Sequence, residues 1–347
     1  MTLLRFSGFR FLTLFTVLFL GSFFFPRVSS GISDKGEGYE ILIHEGGITE
    51  IIEHFKSRKF WGESSHAQDL EVPRIILAVA SGRWATESKS IDVGLKKELF
   101  YRSIVPMVLL SNELILKERA DVEEAGALLE AGAEVNEKQQ QRVSDLAERY
   151  GVEEENLKDV VVQLMERVDT IPPALALGQA AYESGYGTSR FAREGNALFG
   201  QWTYSGQGMK PKEQRASKGN YGVASYKWPF DSVRSYMYNL NTHSAYKPLR
   251  DKRASFKKQG KEPRGLELCE TLLNYSEKGE EYVSTLKNII TANGLEVVDN
   301  AHLRTEPVTL TVGVAPENKE DAEMRIKELR TSGELDRIVK EILGRVE

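Results

Sequence analysis

One stretch of the chain decides the fold: Ala180-Ala181-Tyr182-Glu183-Ser184-Gly185-Tyr186-Gly187. It closes an apolar run that begins after Pro172 and Pro173, and proline suits the first turn of a helix. Gly185 is the kind of residue that usually follows a helix end. The pattern therefore predicts a helix that begins near Pro173 and ends at the glycine turn, with Glu183 in its last turn.

Glu183 is the candidate catalytic residue, because a carboxyl group at this position should ionise reluctantly. The C-terminal end of a helix dipole is negative, and the neighbouring Ala, Leu and Tyr side chains are poor solvents for a charge; both effects raise the pKa of a carboxyl group. An acid that keeps its proton near neutral pH can protonate a leaving group. The alternative interpretation is a glutamate at a solvated helix end, without a role in chemistry.

A second motif follows at residues 188–200, which read Thr-Ser-Arg-Phe-Ala-Arg-Glu-Gly-Asn-Ala-Leu-Phe-Gly. Glu-Ser-Gly-Tyr-Gly followed by Asn-Ala-Leu-Phe-Gly resembles the bacterial cell-wall glucosaminidases of glycoside hydrolase family 73, and Ser-Arg-Phe-Ala-Arg-Glu-Gly-Asn is similar to their Bax-like branch. The resemblance runs from about residue 72 to about residue 294. It implies a mainly α, lysozyme-like helical domain with a small β-hairpin lobe, which hydrolyses the bond after N-acetylglucosamine in peptidoglycan glycan strands.

Glycoside hydrolysis normally needs a second group beside the acid. The resemblance points to Glu213, since the family carries an acidic residue on the corresponding lobe, and to Tyr275, whose segment is similar to one that lines the family's cleft. Each has a plainer interpretation, as a surface charge and as a core tyrosine. A third possibility is that the substrate's own N-acetyl group is the nucleophile. Asp231 is left out, because it suits the N-cap of a following helix.

Sugar rings present apolar faces and hydroxyl groups, so aromatic and amide side chains near the motif are candidates for substrate binding. Phe199 is expected in the core instead. The candidates are Ser184, Asn196, Gln201, Trp202, Tyr204 and Tyr226.

Composition excludes several other functions. The chain has 347 residues and a formal net charge of -5, without a basic stripe that would bind nucleic acid. Its five histidines form no metal-binding motif, and no Gly-x-Ser-x-Gly nucleophile elbow is present. We therefore predict no metal and no cofactor. Cys269 is the only cysteine, so no intramolecular disulfide can form, and a buried position is expected for it.

The N-terminus predicts export. Arg5 and Arg10 precede an apolar segment at residues 11–25, and small residues end at Ser30, where a signal could be cleaved. The apolar segment is short for a membrane span, which takes about 20 residues, although an uncleaved anchor is the alternative. We expect the protein in the periplasm or at the outer face of the inner membrane, with membrane contact only through this segment.

The remaining chain divides into regions of different character. Residues 1–30 are the signal or anchor, 31–94 an arm or linker with one helical pattern at 48–55, 95–170 a helical support, 171–294 the catalytic domain and 295–347 a tail of unknown role. Within the support, Pro106 should kink the first helix, and separate helices are predicted at 120–133, 137–150 and 153–168. Strands are predicted at 201–204 and 221–226, joined by a long loop, and at 308–312.

Two other functions remain open. A lytic transglycosylase also places a Glu-Ser pair at a helix end, but it cleaves the other linkage and leaves an anhydro product. A wall-binding scaffold without catalysis would use the same cleft only to hold glycan.

Overall fold

The computed structural model describes residues 33–36, 39–44, 47–61, 70–79, 84–203, 208–211 and 221–313, with scattered residues between 324 and 340. This part of the chain is mainly helical with short strands, which confirms the predicted fold class. The helices are α1 (Ile48–Ser57), α2 (Trp84–Glu87), α3 (Val93–Glu130), α4 (Glu137–Tyr150), α5 (Leu157–Arg167), α6 (Pro173–Ser184), α7 (Arg190–Gly195), α8 (Pro229–Thr242), α9 (Lys247–Lys258), α10 (Gly265–Leu268) and α11 (Glu280–Ala292). The strands are β1 (Ser33–Gly36), β2 (Tyr39–His44), β3 (Glu71–Val72), β4 (Ile75–Val79), β5 (Trp202–Thr203), β6 (Gly222–Val223), β7 (His302–Leu303) and β8 (Val308–Gly313).

A four-stranded sheet joins segments from the two ends of the described chain. Its order is β1-β2-β8-β4, and β8 pairs in parallel with both β2 and β4. The prediction of a strand at 308–312 is therefore confirmed, and so is the helical pattern at 48–55, which forms part of α1. The strands at 33–44 and 71–79 were not predicted. β2, β3 and β4 pair with segments more than two hundred residues away, which local patterns do not show, and β1 pairs with β2.

The helix α3 is continuous from Val93 to Glu130, with Pro106 inside it. The prediction of a separate helix from residue 120 was wrong, because no glycine or other helix stop interrupts the chain there and both halves pack into the same core. Asp92 caps the N-terminus by accepting hydrogen bonds from the amides of Gly94 and Leu95. By length and composition α3 could cross a membrane, but 78% of its most apolar window is buried inside the protein. That burial is typical of the core helix of a globular domain.

The helix α6 lies in the centre of the core, since every residue from Pro173 to Ala181 is buried. Gly178 lets α11 approach closely: a Cβ atom added there would lie 2.9 Å from the Cγ1 atom of Ile290. The buried carboxylate of Asp299 accepts hydrogen bonds of 2.8 Å from the first-turn amides of both α6 and α10. The position of α6 is thus fixed at its start and along one side.

The support helices α4 and α5 pack against α3 beside this core. α4 has the predicted bounds, and α5 lies within the predicted 153–168. Just after α5, the buried Asp169 is joined to α9 by Lys257 at 2.5 Å and Arg253 at 3.5 Å. Burial opposes ionisation of Asp169, but the two cations outweigh it and hold the pKa of the carboxyl below its ordinary value.

The predicted hairpin lobe is present as the short antiparallel pair of β5 and β6, with Trp202 opposite Val223. Met209 forms an additional bridge to Val223. The helix after the lobe, α8, begins at Pro229. Asp231 therefore lies in its first turn, and our assignment of Asp231 as the N-cap was wrong; Trp228 occupies that position.

Candidate active site

Glu183 lies in the last turn of α6, where the sequence predicted it. Pro173 is the first residue of the helix, and Gly185 ends it in the left-handed conformation, with φ 56° and ψ 48°. The next residues, Tyr186 and Gly187, also have positive φ, so the chain turns sharply away from the helix axis. The carboxyl group is thereby held at the end of a rigid, buried helix while the backbone leaves it.

Burial raises the pKa of Glu183 to about 7, and a hydrogen bond from the Tyr282 hydroxyl acts in the opposite direction. Desolvation is the dominant cause because a carboxylate loses the water that stabilises its charge. The predicted elevation of the pKa agrees with this environment. A carboxyl group with this pKa is largely protonated in mildly acidic solution and can still lose its proton near neutral pH.

Four tyrosines from separate segments surround the carboxyl group, and we refer to Tyr236, Tyr246, Tyr275 and Tyr282 as the tyrosine cluster. An ionised Glu183 raises the pKa of each of them, in addition to the larger effect of burial. Tyr275 and Tyr282 are stacked, with ring centroids 5.5 Å apart and planes 9° apart. The cluster is therefore a wall of neutral phenols around one acid.

Tyr275, a predicted catalytic residue, belongs to this wall. It lies in the segment before α11, and its hydroxyl donates a 3.0 Å hydrogen bond to the carbonyl of Phe199. Phe199 is buried and stacks on Tyr236 at 3.9 Å, which confirms its expected place in the core. Tyr275 is thus close to Glu183, but its proton is held by the backbone carbonyl in this structure.

The Asn-Ala-Leu-Phe-Gly motif brings the backbone next to the acid. Gly200 has a φ of 60°, and a Cβ atom added to it would lie 3.3 Å from Oε2 of Glu183. Glycine is required both for the backbone conformation and for the close approach. The motif therefore places the start of the hairpin lobe directly against the carboxyl group.

Ser184 and Asn196, both predicted to bind substrate, make hydrogen bonds to the backbone, and only Ser184 is closed to solvent. Ser184 is fully buried; its hydroxyl donates to the carbonyl of Ala180 at 2.5 Å and accepts from the amide of Gly187 at 2.8 Å. Asn196 donates hydrogen bonds of 3.0 Å to the carbonyls of Tyr226 and Lys227. Both side chains hold turns together, because the sharp bends at each end of this segment leave backbone groups that need partners.

On the hairpin side, Tyr226 and Gln201 hydrogen-bond to each other. The Tyr226 hydroxyl lies 2.9 Å from Oε1 of Gln201 and 3.0 Å from Oγ of Ser235 on α8. Trp202 is 47% exposed and stacks on the buried Tyr221, with centroids 4.8 Å apart. Of the predicted binding residues that the structure describes, Trp202 offers the largest exposed aromatic face.

Glu213 and Tyr204 lie outside the described residues. Among the residues that the structure does describe, no second carboxylate contributes to the pKa of Glu183. Asp231, the acidic residue of α8, is paired with Arg337 at 3.0 Å. The described part of the site therefore contains one acid and a set of neutral hydrogen-bonding groups.

Four residues of the site were not predicted: Gln179, Tyr236, Tyr246 and Tyr282. Gln179 lies four residues before Glu183, and this spacing puts both on one face of α6. Tyr282 lies in the segment 275–283 that we had compared with the family's cleft, seven residues after Tyr275. The spacing of Gln179 from Glu183 and of Tyr282 from Tyr275 could have indicated these two residues from the sequence. Which tyrosines face the acid, however, depends on how α8 and α11 pack.

A mainly helical domain in which a partly buried, weakly ionised glutamic acid ends a core helix beside a small hairpin lobe is a lysozyme-like domain of the glycosidase class. Comparisons with known proteins agree. Residues 158–295 match the family model Glucosaminidase, described as mannosyl-glycoprotein endo-beta-N-acetylglucosaminidase. Protein bax of Escherichia coli (strain K12) is 32% identical over 189 residues, which make up 54% of this chain and 66% of that protein.

Residues 158–295 therefore form a glucosaminidase-family domain, in a chain that is similar to Bax. The similarity to Bax spans just under two thirds of the length of that relative. No solved structure matches the chain significantly. The family indicates a glycosidase that acts on glycans.

Proposed function

We propose that the protein is an endo-β-N-acetylglucosaminidase of peptidoglycan, which hydrolyses the glycosidic bond after N-acetylglucosamine. The observation that carries this proposal is Glu183, an acid with a pKa near 7 at the end of a rigid helix. The glucosaminidase family of the domain supports the choice of glycan. The resemblance to cell-wall glucosaminidases in the motif around Glu183 supports peptidoglycan.

In the proposed reaction, protonated Glu183 donates its proton to the glycosidic oxygen as the bond to the anomeric carbon breaks. The surrounding phenols carry no charge, so the proton is not lost to a neighbouring base before the sugar arrives. A water molecule then attacks the anomeric carbon, and its proton must pass to a second group. Glu213, predicted in the long loop of the hairpin lobe, is our candidate for this group. In the alternative route the carbonyl oxygen of the substrate's N-acetyl group attacks the anomeric carbon as the glycosidic bond breaks, and water then opens this intermediate with the ionised Glu183 as the base.

Sugar binding is assigned to the exposed face of Trp202, supported from behind by Tyr221. A sugar ring that stacks there covers apolar surface that water otherwise contacts. The pair of Gln201 and Tyr226 lies between this face and α8 and offers polar atoms for sugar hydroxyls. This arrangement would extend the substrate across the hairpin lobe toward Glu183.

Digestion of purified peptidoglycan tests the proposal, with the wild-type protein beside Glu183→Gln. Mass and reducing-end analysis should find fragments that end in reducing N-acetylglucosamine, and the variant should release none. Anhydro-muramyl ends would instead identify a lytic transglycosylase. Retained glycan binding without products from either protein would identify a scaffold. Glu213→Gln with and without added azide separates the two candidates for the second group, because a small anion can replace a missing carboxylate.

A substrate in the cell wall requires export, and we propose that residues 1–30, which lie outside the described residues, direct it. N-terminal sequencing of the protein from fractionated cells should find a periplasmic or membrane-bound form. Recovery only from the cytoplasm would contradict this part of the proposal. We propose no nucleic-acid partner, in keeping with the acidic net charge.

A further inference from the structure

Behind Glu183 the core contains polar side chains that the proposed reaction does not use. Gln179, Tyr236 and Tyr282 are each 0% exposed. They come from α6, α8 and α11, so three helices meet at this point. Apolar side chains would fill the same space without needing hydrogen-bond partners, since a buried amide without partners costs about 1–3 kcal/mol.

The three side chains form one directed chain of hydrogen bonds. The Tyr236 hydroxyl donates to Oε1 of Gln179 at 2.6 Å, and Nε2 of Gln179 donates to the Tyr282 hydroxyl at 2.9 Å. Because the Tyr282 oxygen accepts from Gln179, its own proton is available to the Glu183 carboxyl, which lies one helical turn after Gln179 on α6 and interacts electrostatically with this phenol. Every donor in the chain is thus oriented toward the acid.

We infer that Gln179 and Tyr282 are positioning residues: the chain Tyr236–Gln179–Tyr282 fixes the orientation of the Glu183 carboxyl and stabilises its ionised form after it has given up its proton. This inference rests on the proposed role of Glu183 as the acid. A catalytic acid must release a proton and recover it in each cycle, so burial alone would leave it too weak. A hydrogen-bond donor behind the carboxylate, polarised by its own hydrogen bonds, offsets part of the free-energy cost of desolvating the charge.

Other groups that face Glu183 do not supply this donor. Tyr246, in the turn after α8, and Tyr275, before α11, act on the acid only through electrostatic interaction, and Tyr275 donates its proton to Phe199. No charged group among the described residues contributes to the pKa of Glu183. In the described part of the protein, Tyr282 is therefore the hydrogen-bond donor that acts on the acid.

The test measures the pH dependence of reducing-end release from peptidoglycan for the full chain and three variants. Tyr282→Phe removes the donor itself, and Tyr236→Phe removes the far end of the chain. Tyr150→Phe is the matched control, because Tyr150 is equally a buried tyrosine whose hydroxyl bonds to a carboxylate, that of Glu118 at 2.5 Å on another part of the molecule. Each variant loses one oxygen atom and keeps its ring.

We expect the upper limb of the profile to move to higher pH by about one unit in Tyr282→Phe, the size expected for the loss of a hydrogen bond to a charged group. Tyr236→Phe should move it in the same direction by less, and Tyr150→Phe should leave it in place. A wild-type profile in Tyr282→Phe would overturn the inference. If Tyr282→Phe does not fold, Tyr236→Phe decides: a profile that does not move overturns the inference.

A second readout does not need activity. The pH dependence of the melting temperature is compared between Tyr282→Phe and the double variant Tyr282→Phe/Glu183→Gln, and between wild type and Glu183→Gln. The difference within each pair reports the titration of Glu183 alone, and it should move to higher pH when Tyr282 is absent. Equal titration in both pairs would overturn the inference. Full activity of Glu183→Gln would instead overturn the proposed function and leave this titration shift unaffected.

Discussion

Replacing Glu183 by glutamine should stabilise the protein at neutral and basic pH while it removes activity. The pKa of the carboxyl is about 7 in the folded protein against an ordinary value of 4.5. Between these values the folded protein binds a proton that the unfolded chain has lost, so the free energy of unfolding falls as pH rises through this window. Glutamine is neutral at every pH and avoids this cost.

The magnitude follows from the size of the shift. A difference between 4.5 and about 7 corresponds to about 3.5 kcal/mol at about 1.4 kcal/mol for each pH unit. We expect Glu183→Gln to be more stable than wild type by about this amount at pH 8, and nearly equal to it below pH 4.5, where the wild-type carboxyl is protonated in both states. The amide oxygen of glutamine can still accept the hydrogen bond from Tyr282.

Thermal and denaturant unfolding from pH 4 to pH 9 measure the difference. The control is Glu148→Gln, at an exposed position of α4, which removes one surface carboxylate without touching the site. If the stability difference between wild type and Glu183→Gln did not change with pH, Glu183 would titrate as an ordinary carboxyl group. The physical basis for its role as the acid would then be lost.

The remaining predictions concern activity and other parts of the fold. Hydrolysis should fall as pH rises through about 7, because Glu183 must be protonated to act; a rate that rises steadily to pH 9 would contradict this assignment. Gly200→Ala should lower the rate of reducing-end release at least tenfold, because its Cβ atom would lie 3.3 Å from Oε2 of Glu183. Gly132→Ala is the control for backbone strain, since Gly132 has a φ of 65° and an added Cβ atom would meet nothing within 4 Å. An equal loss of activity in both variants would refute the contact argument. Trp202→Ala should weaken peptidoglycan binding in a pelleting assay with little change in melting temperature, since the side chain is 47% exposed; unchanged binding would remove Trp202 from the site. Asp169→Asn should lower stability by about 3 kcal/mol or more in denaturant unfolding, because it removes the carboxylate from the buried Arg253 and the half-buried Lys257. A loss below about 1 kcal/mol would show that the remaining hydrogen bonds of Arg253 compensate for the lost charge.

The central helix could be predicted from the sequence because its signals are local. Proline at its start and glycine after its end act through the conformation of single residues, so they work wherever the helix packs. The candidate acid was found for this reason: its place in the last turn follows from the helix end alone.

Positions that depend on neighbours from distant segments were predicted less well. The sequence could not show that the Ser184 side chain turns inward beside the acid, or that the Asn196 amide bonds to the backbone after β6. The continuous α3 also extends through residue 120, where a separate helix was predicted, since both halves pack into the same core. In these cases the local pattern gave the type of residue or element, but not the direction of the side chains or the length of the helix.

The sequence by itself determined the helix that carries Glu183, the glycine turn after it and the mainly helical class of the domain. Only the tertiary structure decided that α8 and α11 bring Tyr236 and Tyr282 to the acid, and that β8 pairs with β2 and β4. The physical reason is the range of the interactions. Helix starts and stops arise within a few residues, whereas burial of a carboxyl group and pairing of strands depend on segments that meet only when the whole chain is packed.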